Sequence, residues 1–130
     1  YIADKTIKGM IKAGKVVKKS NVLMLGVTFK EDCSDMRNTK VVDIIDELKD
    51  FGVNVDVYDP WVDPNEEKKW YTHGIISNPL DNNKKYDAIV VAVAHKQFKE
   101  YTPEDYLQLS NAKGVVIDIK NIVQNPDWRL

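Results

Sequence analysis

One stretch limits the folds open to this chain: residues 22–58 read as strand, loop, helix, strand. It opens with Val22-Leu23-Met24-Leu25-Gly26-Val27, apolar on both sides of the chain, as a strand inside a parallel sheet must be. A polar loop follows over 28–37. Val41, Ile44, Ile45, Leu48 and Phe51 then recur at three- and four-residue steps, predicting a helix over 38–51 with one apolar face. Asn38 or Thr39 is placed to cap its start and Gly52 to stop it. Val53, Val55 and Val57 alternate with Asn54, Asp56 and Tyr58, predicting a second strand with one less buried face. The sum is a βαβ unit with a charged loop at the carboxyl end of its first strand, where open parallel sheets bind ligands.

The rest of the chain continues the alternation. A short polar helix is predicted over 65–71 and a short edge strand over 75–76. Residues 86–94 form the second strongly buried run, and Ala88, Ala92 and Ala94 let helices sit close to it. Residues 95–101 leave that strand as a loop or helical turn. Thr102-Pro103-Glu104-Asp105 starts a helix, with Thr102 as N-cap, Pro103 in the first position and acids in the first turn. Residues 115–119 form the last predicted strand, with Lys120 and Asn121 at its carboxyl end. This predicts an α/β fold, a three-layer, Rossmann-like, doubly wound sheet of about five mainly parallel strands. One sheet edge should gather Phe29, Lys30, Arg37, Asp59, His95, Lys120 and Asn121.

Residues 1–19 differ in composition: Lys5, Lys8, Lys12, Lys15, Lys18 and Lys19 face one acid, Asp4. Their short apolar stripe suits a solvated helix end packed on something outside 1–130 better than a helix on a membrane or nucleic acid. The domain proper is therefore expected over 20–130. A net charge of −1 gives no global case for nucleic acid or an anionic membrane. No run of about 18 apolar residues is present to span a bilayer. The single Cys33 excludes an internal disulfide and fits a reducing, cytoplasmic setting. The chain begins at Tyr1 rather than Met, so it is expected to be a piece of a longer protein or a processed one.

The loop over 28–37 admits two readings. In one, the amide groups at the start of the following helix, with Lys30, Arg37 and Lys120, converge on a phosphate. Phe29 then stacks on a base, and Asn121, Asp35 or Asp59 takes sugar hydroxyls. In the other, Lys30 and Arg37 merely pair with Glu31, Asp32 and Asp35 on the surface. A dinucleotide site of the usual kind is disfavoured, because Gly26 stands alone where Gly-x-Gly-x-x-Gly is needed. A phosphoacceptor site built on Asp59 and Lys120 lacks a carboxylate at the end of the first strand. Acids beside Cys33 argue against an activated thiol. His73 and His95 lack metal-ligand spacing, so no metal site is expected. His95 suits a supporting role better than a ligand contact. Trp61, Trp70 and Trp128 suit core or interface positions.

Leu25-Gly26-Val27-Thr28-Phe29-Lys30-Glu31-Asp32, then Asp35-Met36-Arg37-Asn38-Thr39, then Val57-Tyr58-Asp59-Pro60 carry a resemblance. In that order and spacing they resemble the C-terminal, UDP-binding domain of the UDP-glucose/GDP-mannose dehydrogenase family, over nearly the whole chain. The Thr-Phe-Lys-Glu and Asp-x-Arg-Asn-Thr-Lys forms, with Tyr58-Asp59-Pro60-Trp61, resemble the branch acting on UDP-N-acetylhexosamines for bacterial polysaccharides such as capsule or O-antigen. The resemblance implies a full enzyme that oxidises a UDP-sugar at C6 to the uronic acid, with NAD held by an N-terminal domain and a catalytic cysteine in a central one. Both would lie outside this chain, which would supply no catalytic residue. Residues 1–19 would be the end of the central linker and dimerisation helix. The parent would be a homodimer or larger. Phe29 and Lys30 would lie against uridine and ribose. Arg37 would order the loop or touch the nucleotide. Lys120 falls where many relatives carry an arginine, so the charge is kept and the bidentate fork lost. Asp35, Asp59, His95 and Asn121 are further candidates. The competing expectation is an interaction or dimerisation module of the same fold with a vestigial nucleotide loop.

Overall fold

The computed structural model describes residues 1–34, 39–62 and 74–130. Asp35, Arg37, Asn38, Trp70, His73 and the helix predicted over 65–71 lie outside the described residues. In chain order the elements are α1 (Ile2–Lys12), β1 (Asn21–Leu25), α2 (Val41–Asp50), β2 (Asn54–Tyr58), a 3-10 turn (Pro79–Asp81), β3 (Tyr86–Val91), α3 (Lys96–Lys99), α4 (Pro103–Leu109), β4 (Ser110–Asp118) and β5 (Trp128–Arg129). The strands form a single 5-stranded sheet in the order β2-β1-β3-β4-β5, every neighbouring pair parallel. The chain leaves β1 to one side for β2 and returns to the other side for β3. The carboxyl ends of β1 and β3 are therefore the point where the winding reverses, and a crevice opens there.

Period-two alternation divides the core into two layers. Val22, Met24, Ala88, Val90, Val115 and Ile117 face α1 and α2, joining Ala3, Ile7, Met10, Val41, Ile45 and Leu48. Leu23, Leu25, Ile89, Val91 and Val116 face the other way and pack with Tyr86, Phe98, Tyr106 and Leu109. The side chains of β1 and β3 at these positions are fully buried, as expected of strands covered on both faces.

Four expectations needed correction. Residues 75–76 are not a strand; the Ile76 amide donates to the Val57 carbonyl at 2.8 Å, and one such bond makes no ladder. The fifth strand is Trp128–Arg129, too short to show a period in sequence. The strand predicted from 115 begins at Ser110, with a register shift between Tyr86 and Ala88 that accommodates Ala112 at φ 36°. α1, expected to pack outside the chain, packs within it against α2, β3 and β4. Its Gly9 sits so close to β4 that a Cβ there would lie 3.0 Å from Val115 Cγ1.

The helix starts follow their local chemistry. At α2 the cap expected at Asn38 or Thr39 falls instead on Lys40, whose side chain makes no capping bond, while Thr39 Oγ1 accepts from the Val41 amide at 3.2 Å. Thr102 and Asp105 exchange hydrogen bonds as a capping box at the start of α4.

A cleft at the switch point

A cleft of about 230 Å³ lies over the carboxyl ends of β1, β3 and β4. Its walls include Thr28 and Phe29 after β1, Ala92 and Val93 after β3, and Lys120 after β4, with Thr39 to Val41 at the start of α2. Phe29 is 55% exposed, a high value for a large aromatic ring, and Lys30 beside it is exposed as well. Among the described residues neither Lys30 nor Lys120 has an ion-pair partner. Pairing of Lys30 with Glu31 or Asp32 on the surface is thus absent from the described residues. The cleft offers an apolar floor, an exposed ring and the ammonium groups of Lys40 and Lys120 beside a helix start, with Lys30 next to Phe29 in the chain.

Beneath this surface the loops are tied to one another. Asp59, its side chain inaccessible to solvent, accepts at Oδ2 from the amides of Val27 (2.8 Å) and Thr28 (3.2 Å), and at Oδ1 from that of Trp61 (2.8 Å). His95, also fully buried, has Nε2 2.9 Å from Asp59 Oδ2 and 3.0 Å from Thr28 Oγ1. The Thr28 hydroxyl donates in turn to the Lys30 carbonyl at 3.2 Å. His95 Nδ1 accepts from the Asp32 amide at 2.9 Å, so that nitrogen carries a lone pair and the ring proton sits on Nε2. Asp32 adopts φ 52°, which turns its amide inward while its carboxylate accepts from the Lys96 amide at 2.8 Å. Trp61 stacks over the imidazole at 6.2 Å between ring centres, and Phe98 packs on it at 5.5 Å.

A second buried carboxylate does the same after β4. Asp118 accepts from the Lys120 amide at 3.1 Å and the Val123 amide at 2.8 Å, with Arg129 Nε 3.6 Å away. Asn121 next to it is exposed at φ 60°. Burial, then the Asp59 and Asp81 carboxylates, pushes the Tyr58 phenol above its ordinary pKa at the neighbouring strand end.

Of the predicted site residues, Phe29 and Lys120 line the cleft, Lys30 stands next to Phe29, and Asn121 follows Lys120 in the same turn. Asp59 and His95 lie at the same edge, but their polar atoms are spent inside the loops. Asp35 and Arg37 lie outside the described residues. The sequence alone does not assign Thr28 or Asp118 to the site, and it gives Asp32 only as a surface partner of Lys30 and Trp61 only as a core or interface residue. Asp118 carried a signal, an aspartate at the end of an otherwise apolar run. The others did not, because what joins them at the site is His95, Lys96 or Gln97, distant in sequence.

The residues present do not fit a dinucleotide in the manner usual for this fold. The single glycine after β1, Gly26, has φ 96°, and the space beside its Cα is taken by Val93, whose Cβ would lie 2.6 Å from a Cβ on Gly26. Among the described residues no glycine-lined approach for a pyrophosphate exists there.

An all-parallel sheet with a cationic cleft at its switch point defines a nucleotide-type binding domain. Residues 23–125 match the family model described as the UDP-glucose/GDP-mannose dehydrogenase family, UDP binding domain. The chain belongs to this family. It is 44% identical over its full length to a UDP-N-acetyl-D-glucosamine 6-dehydrogenase of Salmonella typhi, of which it spans 31%. Another UDP-N-acetyl-D-glucosamine 6-dehydrogenase, from Pseudomonas aeruginosa, is 40% identical across 95% of the chain and 29% of that protein. Among solved structures, an NDP-N-acetyl-D-galactosaminuronic acid dehydrogenase of Methanosarcina mazei Go1 superposes with a TM-score of 0.83 at 27% identity, covering 95% of this chain and 25% of that one.

Proposed function

We propose that the chain anchors the uridine diphosphate end of a nucleotide sugar for a longer UDP-sugar 6-dehydrogenase. The observation that carries this is an exposed Phe29 lining the cleft together with Lys120, and Lys30 next to Phe29 in the chain, both lysines without an ion-pair partner among the described residues. Phe29 stacks on the uracil, Lys30 and Lys120 neutralise the diphosphate, and Arg37 and Asp35, outside the described residues, are further candidates for the nucleotide and its sugar hydroxyls. Asn121 takes a ribose hydroxyl. Such contacts fix one end of a substrate whose sugar reacts elsewhere, so the contribution is orientation rather than bond-making. The sugar is an N-acetylhexosamine, on the similarity to the two UDP-N-acetyl-D-glucosamine 6-dehydrogenases. NAD and the catalytic cysteine belong to other domains of the longer enzyme, a homo-oligomer of the cytoplasm, and the chain alone has no dehydrogenase activity.

Titration of the 15N-labelled chain with UDP tests the reading. Amides of the Phe29 and Lys120 loops should shift on binding, and Lys30→Ala should weaken binding at least about tenfold. A chain that ignores UDP, or a Lys30→Ala variant that binds as tightly as wild type, overturns it.

A further inference from the structure

We infer that His95 is a positioning residue for the nucleotide loop, acting through one ring tautomer. The inference rests on the proposed nucleotide site and concerns what sets its geometry. The imidazole touches no solvent and joins three separate strand-end loops. Its Nε2–H reaches Asp59 after β2 and Thr28 after β1, and its Nδ1 lone pair receives the Asp32 amide from the far end of the β1 loop. Phe29, Lys30 and Glu31 are therefore the span between two points held by a single ring. Thr28 holds one end from its side chain, and its hydroxyl also fixes the Lys30 carbonyl within the span. Asp32 holds the other end in a left-handed conformation that an aspartate adopts only at a cost. Trp61 stacks on the ring and Phe98 packs against it at a tilt of 54°, and Trp61 is itself held by Asp59 and by Gln97 at 3.0 Å.

Opposite demands on the two nitrogens make the geometry specific. A proton moved to Nδ1 would confront the Asp32 amide with a second donor and leave Asp59 Oδ2 facing a lone pair. No other side chain offers a donor and an acceptor at this separation on a flat ring that also fills the space between Trp61 and Phe98. Asparagine can place an amide oxygen near the Nδ1 position, and glutamine an amide nitrogen near Nε2. Phenylalanine fills the volume and supplies neither.

The test combines one spectrum and a set of variants of the intact chain. In the wild type, imidazole 15N shifts should show Nδ1 bare and Nε2 protonated, and the Asp32 amide should exchange slowly with solvent. His95→Phe should weaken UDP binding about tenfold, the loss expected from roughly one anchoring interaction, and should release the Asp32 amide. His95→Asn should recover Asp32 protection and most of the affinity. Thr102→Ala, which weakens α4 far from the cleft, should bind UDP as wild type does, separating positioning from general loss of stability. If His95→Phe fails to fold, the tautomer and His95→Asn decide: a protonated Nδ1, or an asparagine variant with full affinity and a freely exchanging Asp32 amide, overturns the inference. Full affinity in His95→Phe also overturns it. A wild-type chain that does not respond to UDP removes the nucleotide reading itself and the positioning role with it, whatever the ring tautomer.

Discussion

Replacing Gly26 by alanine puts a number on how tightly β1 is joined to β3. Two costs add. Gly26 has φ 96°, a region where an L side chain costs about 1–2 kcal/mol. The new methyl would also sit 2.6 Å from Val93 Cβ and 3.0 Å from the Val93 amide nitrogen, neither of which can swing away. Overpacking of that kind costs about 1–3 kcal/mol. The total is about 2–5 kcal/mol, and at ~3–5 °C per kcal/mol for a chain of this size the thermal midpoint falls by roughly 6–25 °C. Gly14 supplies the control: it has φ 78°, but nothing lies within 4 Å of the point where a methyl group would sit. Gly14→Ala should lose only the conformational part, about 1–2 kcal/mol. Urea melts followed by far-UV circular dichroism give both values. Equal losses in the two variants would refute the claim that Val93 closes the space a pyrophosphate would need.

Other perturbations bear on the same architecture. Asp59→Asn turns an amide group toward the donors that now share the carboxylate and should cost about 2–4 kcal/mol in chemical denaturation, since buried charge-assisted bonds are worth ~1.5–3 kcal/mol and an unmet donor adds to the loss. Thr102→Ala removes half of a capping box and should cost about 1 kcal/mol in the same assay. Lys120→Ala should weaken UDP binding and reduce its salt dependence, whereas Lys120→Arg should retain both, as read by titration at two ionic strengths. Burial raises the phenols of Tyr86, Tyr101 and Tyr106 above their ordinary pKa of 10.0, with a hydrogen bond to Asp56 adding for Tyr86, neighbouring phenols and carboxylates for Tyr101, and the Asp118 and Asp105 carboxylates for Tyr106. The unfolded chain then binds fewer protons than the folded one above pH 10.0, so stability should fall as pH rises through that value, and tyrosinate absorbance should rise together with unfolding.

The elements legible in the sequence were those whose physics is local or periodic. The apolar runs within β1 and β3, the three- and four-residue steps of α2 and the Thr102 cap all lie where their patterns place them. What escaped was set by contacts between distant residues. Trp128–Arg129 pairs with β4 because Asp118 and Asp127 hold the returning chain, and two residues cannot display a period. α1 packs on the sheet because Gly9 allows close approach to Val115, a contact that no period in the sequence displays. At the site, Phe29, Lys30 and Lys120 were visible through their chemistry at strand ends. His95 and Asp59 were visible as residues at the right edge, but sequence could not show that their polar atoms turn inward. That depends on Thr28 and Asp32, whose hydrogen bonds to His95 span 67 and 63 positions of chain.

The outer strands bear on how the molecule avoids its own kind. A parallel sheet ends in two rows of unpaired amides and carbonyls, each a template for another chain. Here the row along β4 is occupied by Trp128–Arg129 and by the Asp127 carboxylate, which takes the Val116 amide at 2.7 Å. On the opposite margin the Ile76 amide takes the Val57 carbonyl. Trp128 and Ile76 are half-buried at the margin of the core, and these fragments deny a second sheet its starting hydrogen bonds. Trimming the chain before Asp127 would bare a strand of 9 residues, and self-association of the truncated chain is the expected result.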